Sequence, residues 1–494
     1  MRRLDPRQEN LQSMKEKRKF QRESILFFKE YEKNLNAEQQ LMEFVADPLF
    51  RIRFDTQATD IFSSLCVEDV AKIRFLLSTD NPPIDKIIAS GVIPQLIEFL
   101  GEKYNPSYRL EAASALFGIV SGTVQQANAV VELGGVPIFV QLLRNDHLKK
   151  RAVFALGCIA ISSPGFRDHV LGQGCLAPLL EILMEHSKPS MLGEVNMLQN
   201  ASRTLAILCF GIPPPPFDQV KHALPTLQKL IHLEPSGALL KVCQDACLAL
   251  SCLSNGPTNQ IQAVIDANIL ERLVMLLSHA PKEIVDPLLR TVGNILRGSD
   301  FQIQALIHNH VFVSLHQLLT GKSTESSVLK EICSTISIMT SGDSDRIREA
   351  IAADLIRPLL RLQQNNDTEE EVKLEAVCAI SLATRRGSNA QIKYLVHQGC
   401  IGPFCDFLTC QDRTTLIRCL DGLKNIIEAG EAEKAWVNPY VHMINVYDGI
   451  SKIEKLRSHP DVGETAEKII NIYWRTDFSH FVNENNLLPN LHAA

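Results

Sequence analysis

Apolar residues recur at helical spacing in eight short blocks along the chain. They are "GVIPQLIEFL" from Gly91, "GGVPIFVQLL" from Gly134, "GCLAPLLEIL" from Gly174 and "HALPTLQKLI" from His222. "ANILERLVMLL" from Ala267, "NHVFVSLHQLL" from Asn309, "ADLIRPLLRL" from Ala353 and "GCIGPFCDFL" from Gly399 continue the series. The blocks start 43, 40, 48, 45, 42, 44 and 46 residues apart. Apolar positions at i, i+3, i+4 and i+7 argue for amphipathic helices, whereas strands would alternate. A second apolar stretch follows each block: "YRLEAASALFGIVSG", "KKRAVFALGCIAIS", "QNASRTLAILCFG", "CQDACLALSCLSNG", "VDPLLRTVGNILRG", "LKEICSTISIMTSG", "VKLEAVCAISLATRRG" and "LIRCLDGLKNIIEAG". Most of these end at a glycine, which suits a left-handed helix C-cap.

A period of forty-odd residues built from helices fits armadillo or HEAT units of two or three helices, not a propeller blade. One such unit cannot bury its apolar face alone, so neighbours must stack. The expected fold is therefore all-α, an armadillo-repeat right-handed superhelical solenoid of about ten units. It should span residues 46–475, between an N-terminal arm, 1–45, and a tail, 476–494. The third helix of each unit should line a long concave groove.

Charge is nearly balanced, at −6. A general nucleic-acid binder would be basic, so direct nucleic-acid binding is not expected. No run of 18 or more apolar residues is present, so no membrane span is expected either. The opening "MRRLDPRQENLQSMKEKRKFQRES" has charge without an apolar core behind it, unlike a secretory signal. Thirteen cysteines are scattered without a C-x-x-C pair, many inside apolar helical stretches, such as Cys158, Cys209, Cys247 and Cys333. Buried free thiols are the natural reading. Catalytic chemistry finds no support. "HNH" (His308 to His310) falls at a helix start without a partner carboxylate, and Cys243 and Cys247 lack histidines at zinc spacing. No phosphate-binding Gly-rich loop and no G-x-S-x-G elbow occur, so neither a cofactor nor an enzyme is expected.

Long strings in these units resemble importin-alpha, the adaptor family of nuclear import. They include "NPPIDKIIASGVIPQLIEFL" (81–100), "ALGCIAISSPGFRDHVL", "DACLALSCLSNGPTNQIQAVIDA" (245–267), "LLRTVGNILRGSDFQIQ", "GSNAQIKYLVHQGCIGPFCDFLT" (387–409) and "NPYVHMINVYDGISKIEKLRSH" (438–459). The resemblance implies a nuclear import adaptor shuttling between cytoplasm and nucleus. It implies cargo with Lys/Arg-rich localisation signals, importin-beta bound through the basic arm, and a nuclear export factor for recycling. In that family a tryptophan and an asparagine four residues later recur on successive third helices, on one helix face. Indoles hold the stems of Lys and Arg, with a cation–π contribution. Asparagine amides hydrogen-bond the extended cargo backbone.

This chain departs from that ladder. Its pairs are Ser114/Gly118, Phe154/Cys158, Arg203/Ile207, Leu248/Cys252, Arg290/Asn294, Ser334/Ile338, Cys378/Leu382 and Asp421/Asn425. The family also has Arg and Asn at the Arg290/Asn294 pair. Only Phe154 keeps an aromatic, and neither tryptophan, Trp436 nor Trp474, is on the ladder. Ser121 and Gly122 match the family's "SG" beside the first basic pocket, while Ser162 replaces an acid. Asp245, Glu331 and Glu375 match acidic positions one turn before the ladder. Arg203 is expected to face the groove as an unburied charge and to repel a lysine-rich guest.

In the arm, "MKEKRKFQRES" puts Lys15, Lys17, Arg18, Lys19 and Arg22 where the importin-beta-binding segment lies, diluted by Glu16 and Glu23. The tail lacks the acidic run that many family members carry. The expected function is a nuclear import adaptor with altered or weakened signal recognition. The alternative is an armadillo scaffold that has lost ordinary signal binding and holds a different protein partner.

Overall fold

The structure is a computed structural model, and it describes residues 65–79, 81–145, 147–187, 192–279, 281–321, 325–432 and 438–476. The arm 1–45 and residues 477–494 lie outside the described residues. Those described form helices joined by short turns, with no strand among them. The all-α solenoid expected from the period is what the chain forms. It divides into two compact units, residues 1–269 and 270–494.

In the first unit, Val67–Leu77 precedes four three-helix repeats. The third helices are α1 (Pro106–Val120), α2 (Lys149–Ser162), α3 (Leu192–Cys209) and α4 (Leu239–Leu253). Val67–Leu77 packs on α1, and then each third helix packs on the next. Thr258–Asp266 closes this unit. In the second unit, Leu270–His279 leads to α5 (Lys282–Ile295). Four repeats follow, with third helices α6 (Ser326–Thr340), α7 (Glu370–Arg386), α8 (Arg413–Ala432) and α9 (Gly463–Thr476), each packed on its predecessor.

The glycines that end the third-helix stretches were expected to be left-handed caps, and mostly they are not. The left-handed residues sit instead after the first helix, just before every second helix except Leu224–Ile231: Gly91, Gly134, Gly174 and Gly399, with Asn268, His310, Asp354 and Asp448 at the equivalent positions. The glycines after the third helices have a steric role. A Cβ on Gly122, Gly256 or Gly298 would collide with the side chain of Gln126, Gln260 or Gln302. Gln126 and Gln302 complete capping boxes at the next helix start. Gln126 Nε2 also donates to Asp85 Oδ1 at 2.7 Å, and Gln391 Nε2 to the Ser344 carbonyl at 2.8 Å, which ties the first helices of successive repeats together.

The proline run that stops α3 is held by a buried arginine. Arg167 Nη1 donates to the Phe210 carbonyl at 3.0 Å and the Pro213 carbonyl at 2.9 Å. Gly211 approaches this guanidinium so closely, at φ 128°, that a Cβ would lie 2.7 Å from Nη1. Its charge is matched by Asp168 at 2.8 Å. "HNH" falls at a turn between two helices: His308 ends Asp300–His308, and His310 is the left-handed residue before Val311–Thr320. None of the described helices is long and apolar enough to cross a membrane.

Candidate functional site

Five of the eight ladder positions of the first unit, Ser114, Phe154, Cys158, Arg203 and Ile207, are buried, and Gly118, Leu248 and Cys252 are half-buried. Ser114 on α1 is buried and donates back to the Leu110 carbonyl at 2.8 Å. Four residues on, Gly118 faces Leu77, whose Cβ lies 2.7 Å from where a Gly118 Cβ would be. No asparagine fits there without moving Val67–Leu77. Phe154 on α2 is 1 % exposed and packs against Phe117 of α1, with ring centroids 5.7 Å apart. Cys158 is buried, its Sγ 3.7 Å from Ser121 Oγ. Ser121 donates to the Phe117 carbonyl, Ser162 to the Cys158 carbonyl, and Gly122 is half-buried beside them. Each of these hydroxyls spends its one O–H on its own helix and keeps only acceptor capacity for any other group.

The expectation for Arg203 is corrected here. Its side chain is 10 % exposed, and its Nε lies 3.1 Å from Asp245 Oδ1 on α4, itself 2 % exposed. Ser202 Oγ donates to the other carboxylate oxygen at 3.3 Å. Arg203 is therefore a buried, paired cation, and Asp245 presents no negative charge to solvent. Burial pushes the Asp245 carboxyl up to about 6, against the pull of Arg203 and Ser202. Ile207, one turn on, is buried, while Leu248 and Cys252 of α4 are half-buried.

The second unit treats the same positions differently. Arg290 on α5 is half-buried. Asn294 is mostly buried, and its Oδ1 accepts from Arg297 Nη1 at 3.1 Å. On α6, Glu331 is exposed and Ser334 and Ile338 are half-buried. On α7, Glu375 and Cys378 are half-buried and Leu382 is buried. On α8, Asp421 is exposed, and Asn425 Nδ2 donates to Thr384 Oγ1 at 3.1 Å. Desolvation raises the carboxyls of Glu331 and Glu375, which also repel each other; Arg290 pulls the first back down and Lys330 the second. This face combines carboxylates, guanidiniums and amides at partly open positions.

Sequence reasoning missed the Arg203–Asp245 pair. The available signal was two opposite charges on successive third helices, 42 residues apart, close to the repeat length. It also missed the Arg74–Glu111 pair, 2.5 Å apart, which joins Val67–Leu77 to α1. Lys15, Lys17, Arg18, Lys19 and Arg22 lie outside the described residues. Among the described residues no cluster of His, Cys, Asp and Glu could hold a metal ion. The thirteen cysteines are free thiols, and only Cys66 is exposed.

The armadillo/beta-catenin-like repeat family matches residues 257–297 and 388–428. Importin subunit alpha-4 of Arabidopsis thaliana is 46 % identical over 418 residues, covering 83 % of this chain and 75 % of that protein. Importin subunit alpha-1b of Oryza sativa subsp. japonica is 41 % identical over 421 residues, covering 83 % and 76 %. The chain belongs to the importin-alpha family. Its fold also matches the crystal structure of an engineered protein, with TM-score 0.70 and 25 % identity over 85 % of this chain and 98 % of that one. Importin-alpha proteins with this armadillo fold are non-enzymatic adaptors of nuclear import, and this chain is one of them.

Proposed function

We infer that this importin-alpha chain links cargo to importin-beta with altered signal recognition, and that basic signals meet the third-helix face of its second unit. The observation that carries this reading is the contrast in exposure. Glu331 and Asp421 are exposed and Glu375 and Arg290 half-buried on α5 to α8, whereas Phe154, Arg203 and Ile207 of the first unit are sealed. Carboxylates near the surface select ammonium and guanidinium heads, and the Asn425 amide can bind an extended backbone. With few amides and no indoles on the ladder, each absent hydrogen bond forgoes about 1 kcal/mol, and each absent cation–π contact about 0.5–2 kcal/mol. Affinity for ordinary signals should therefore be well below that of a full ladder. Residues 1–45 are the arm that meets importin-beta, through Lys15, Lys17, Arg18, Lys19 and Arg22; residues 46–475 carry cargo; 476–494 form a tail. The chain shuttles between cytoplasm and nucleus with these partners, and a nuclear export factor returns it.

Two measurements on the full chain decide the reading. Titration with a lysine-rich import peptide should give a Kd of about 1–10 µM. No binding at about 300 µM would contradict the adaptor reading and favour a scaffold for another partner. Retention on immobilised importin-beta should be lost when the five arm cations are changed to Glu; retention that survives the change contradicts the assigned contact.

A further inference from the structure

The α3–α4 junction places a cation of the chain in the position of a guest. Arg203 stands where a relative's groove tryptophan would stand, and Asp245 stands one turn before the equivalent position of the next repeat. The guanidinium Nε is 3.1 Å from one carboxylate oxygen, and Ser202 serves the other at 3.3 Å. The contact at Oδ1 is an ion pair without a hydrogen bond, so charge attraction from Arg203 and the Ser202 hydroxyl on Oδ2 together hold the buried carboxylate. On the same two helices Ile207 is buried and Leu248 and Cys252 are half-buried, and Lys241 adds positive charge near Asp245. A guest lysine would have to displace Arg203 and leave its own charge against that wall. Arg203 is fixed in the same chain, so it competes at an effective concentration on the order of millimolar or higher.

We propose that Arg203 is a built-in surrogate for a cargo cation: it occupies Asp245 from the neighbouring repeat and closes the α3–α4 face to Lys and Arg side chains. Arg203 is thereby a specificity-determining residue. It turns an acidic position into one that rejects basic segments and leaves them to the second unit. The proposal rests on reading the chain as a cargo adaptor.

The experiment uses the full chain and a fluorescein-labelled peptide carrying five lysines. Hydrogen exchange of the wild type with and without peptide should show no peptide-dependent protection of Leu192–Cys209 or Leu239–Leu253. Arg203→Met keeps the aliphatic stem and frees the acid. It should bind the peptide at least about tenfold more tightly, with new protection on both helices. Arg203→Met/Asp245→Asn should return to wild-type affinity. Protection of those helices in the wild type overturns the proposal. So does a tighter Arg203→Met that stays tight without Asp245, or a folded Arg203→Met with unchanged affinity. If Arg203→Met does not fold, the milder Arg203→Gln and the wild-type footprint decide. A wild type that binds peptide nowhere counts against the adaptor reading, and the surrogate is then judged on the two Arg203 variants alone.

Discussion

Phe154 and Cys378 stand at the same step of the repeat, and their surroundings differ. Phe154, in the first unit, is 1 % exposed against Phe117; Cys378, in the second, is half-buried, 4.0 Å from Thr415 Oγ1. The same contrast separates Ile207, buried, from Ile338, half-buried, and Asp245, sealed under Arg203, from Glu375, which keeps partial access to solvent. A repeat position carries no fixed role. It is buried where the neighbouring third helix supplies a matching partner, apolar for Phe154 and charged for Arg203, and stays partly open where it does not. In the first unit Leu77 closes on Gly118, Phe117 on Phe154, and Arg203 on Asp245. Burying a side chain as large as Phe154 stabilises the fold by about 1.5–3 kcal/mol, so this face is held shut by its own packing.

The largest break in that contrast should come from Phe154→Ala. It should destabilise the first unit by about 3–5 kcal/mol, against about 1 kcal/mol in the second unit for Cys378→Ala. Urea unfolding with hydrogen exchange read separately on Lys149–Ser162 and Glu370–Arg386 measures both. Equal losses would mean that the two positions are alike. Arg203→Met comes next. It leaves the buried Asp245 carboxylate without its cation and should cost about 3 kcal/mol, whereas Glu375→Gln should change stability by less than about 1 kcal/mol.

The sequence showed the repeat and its helices because burial on a fixed period leaves a periodic apolar trace. What it could not show was the consequence. Arg203 reads as an exposed charge until Asp245, 42 residues on, is seen 3.1 Å away. The turn chemistry was misplaced for a similar reason. Both sets of glycines recur once per repeat, and only the backbone shows that Gly134 has φ 78° while Gly387 has φ −67°.

Two smaller effects sharpen the comparison. The left-handed position is glycine at Gly91, Gly134 and Gly174 but Asn268 in the first unit, and His310, Asp354 and Asp448 but Gly399 in the second. Gly134→Ala should cost about 1 kcal/mol and His310→Gly should stabilise by up to about 1 kcal/mol, read as opposite shifts in urea midpoint. The smallest effect is a pH dependence. Asp245 has a folded value of about 6 against an ordinary 3.8, so the native state takes its proton first. This group therefore adds stability as pH falls from about 6 to about 4, and withdraws it as pH rises through that window. A carboxyl 13C titration of Asp245 should show a midpoint near 6; a midpoint near 4 would place it in contact with solvent.

The most direct test of a cargo face confined to the second unit is an anisotropy titration of the full chain with a lysine-rich peptide, comparing wild type with Glu331→Gln/Glu375→Gln. A second-unit site predicts at least about tenfold weaker binding for the double variant. An unchanged affinity would contradict it.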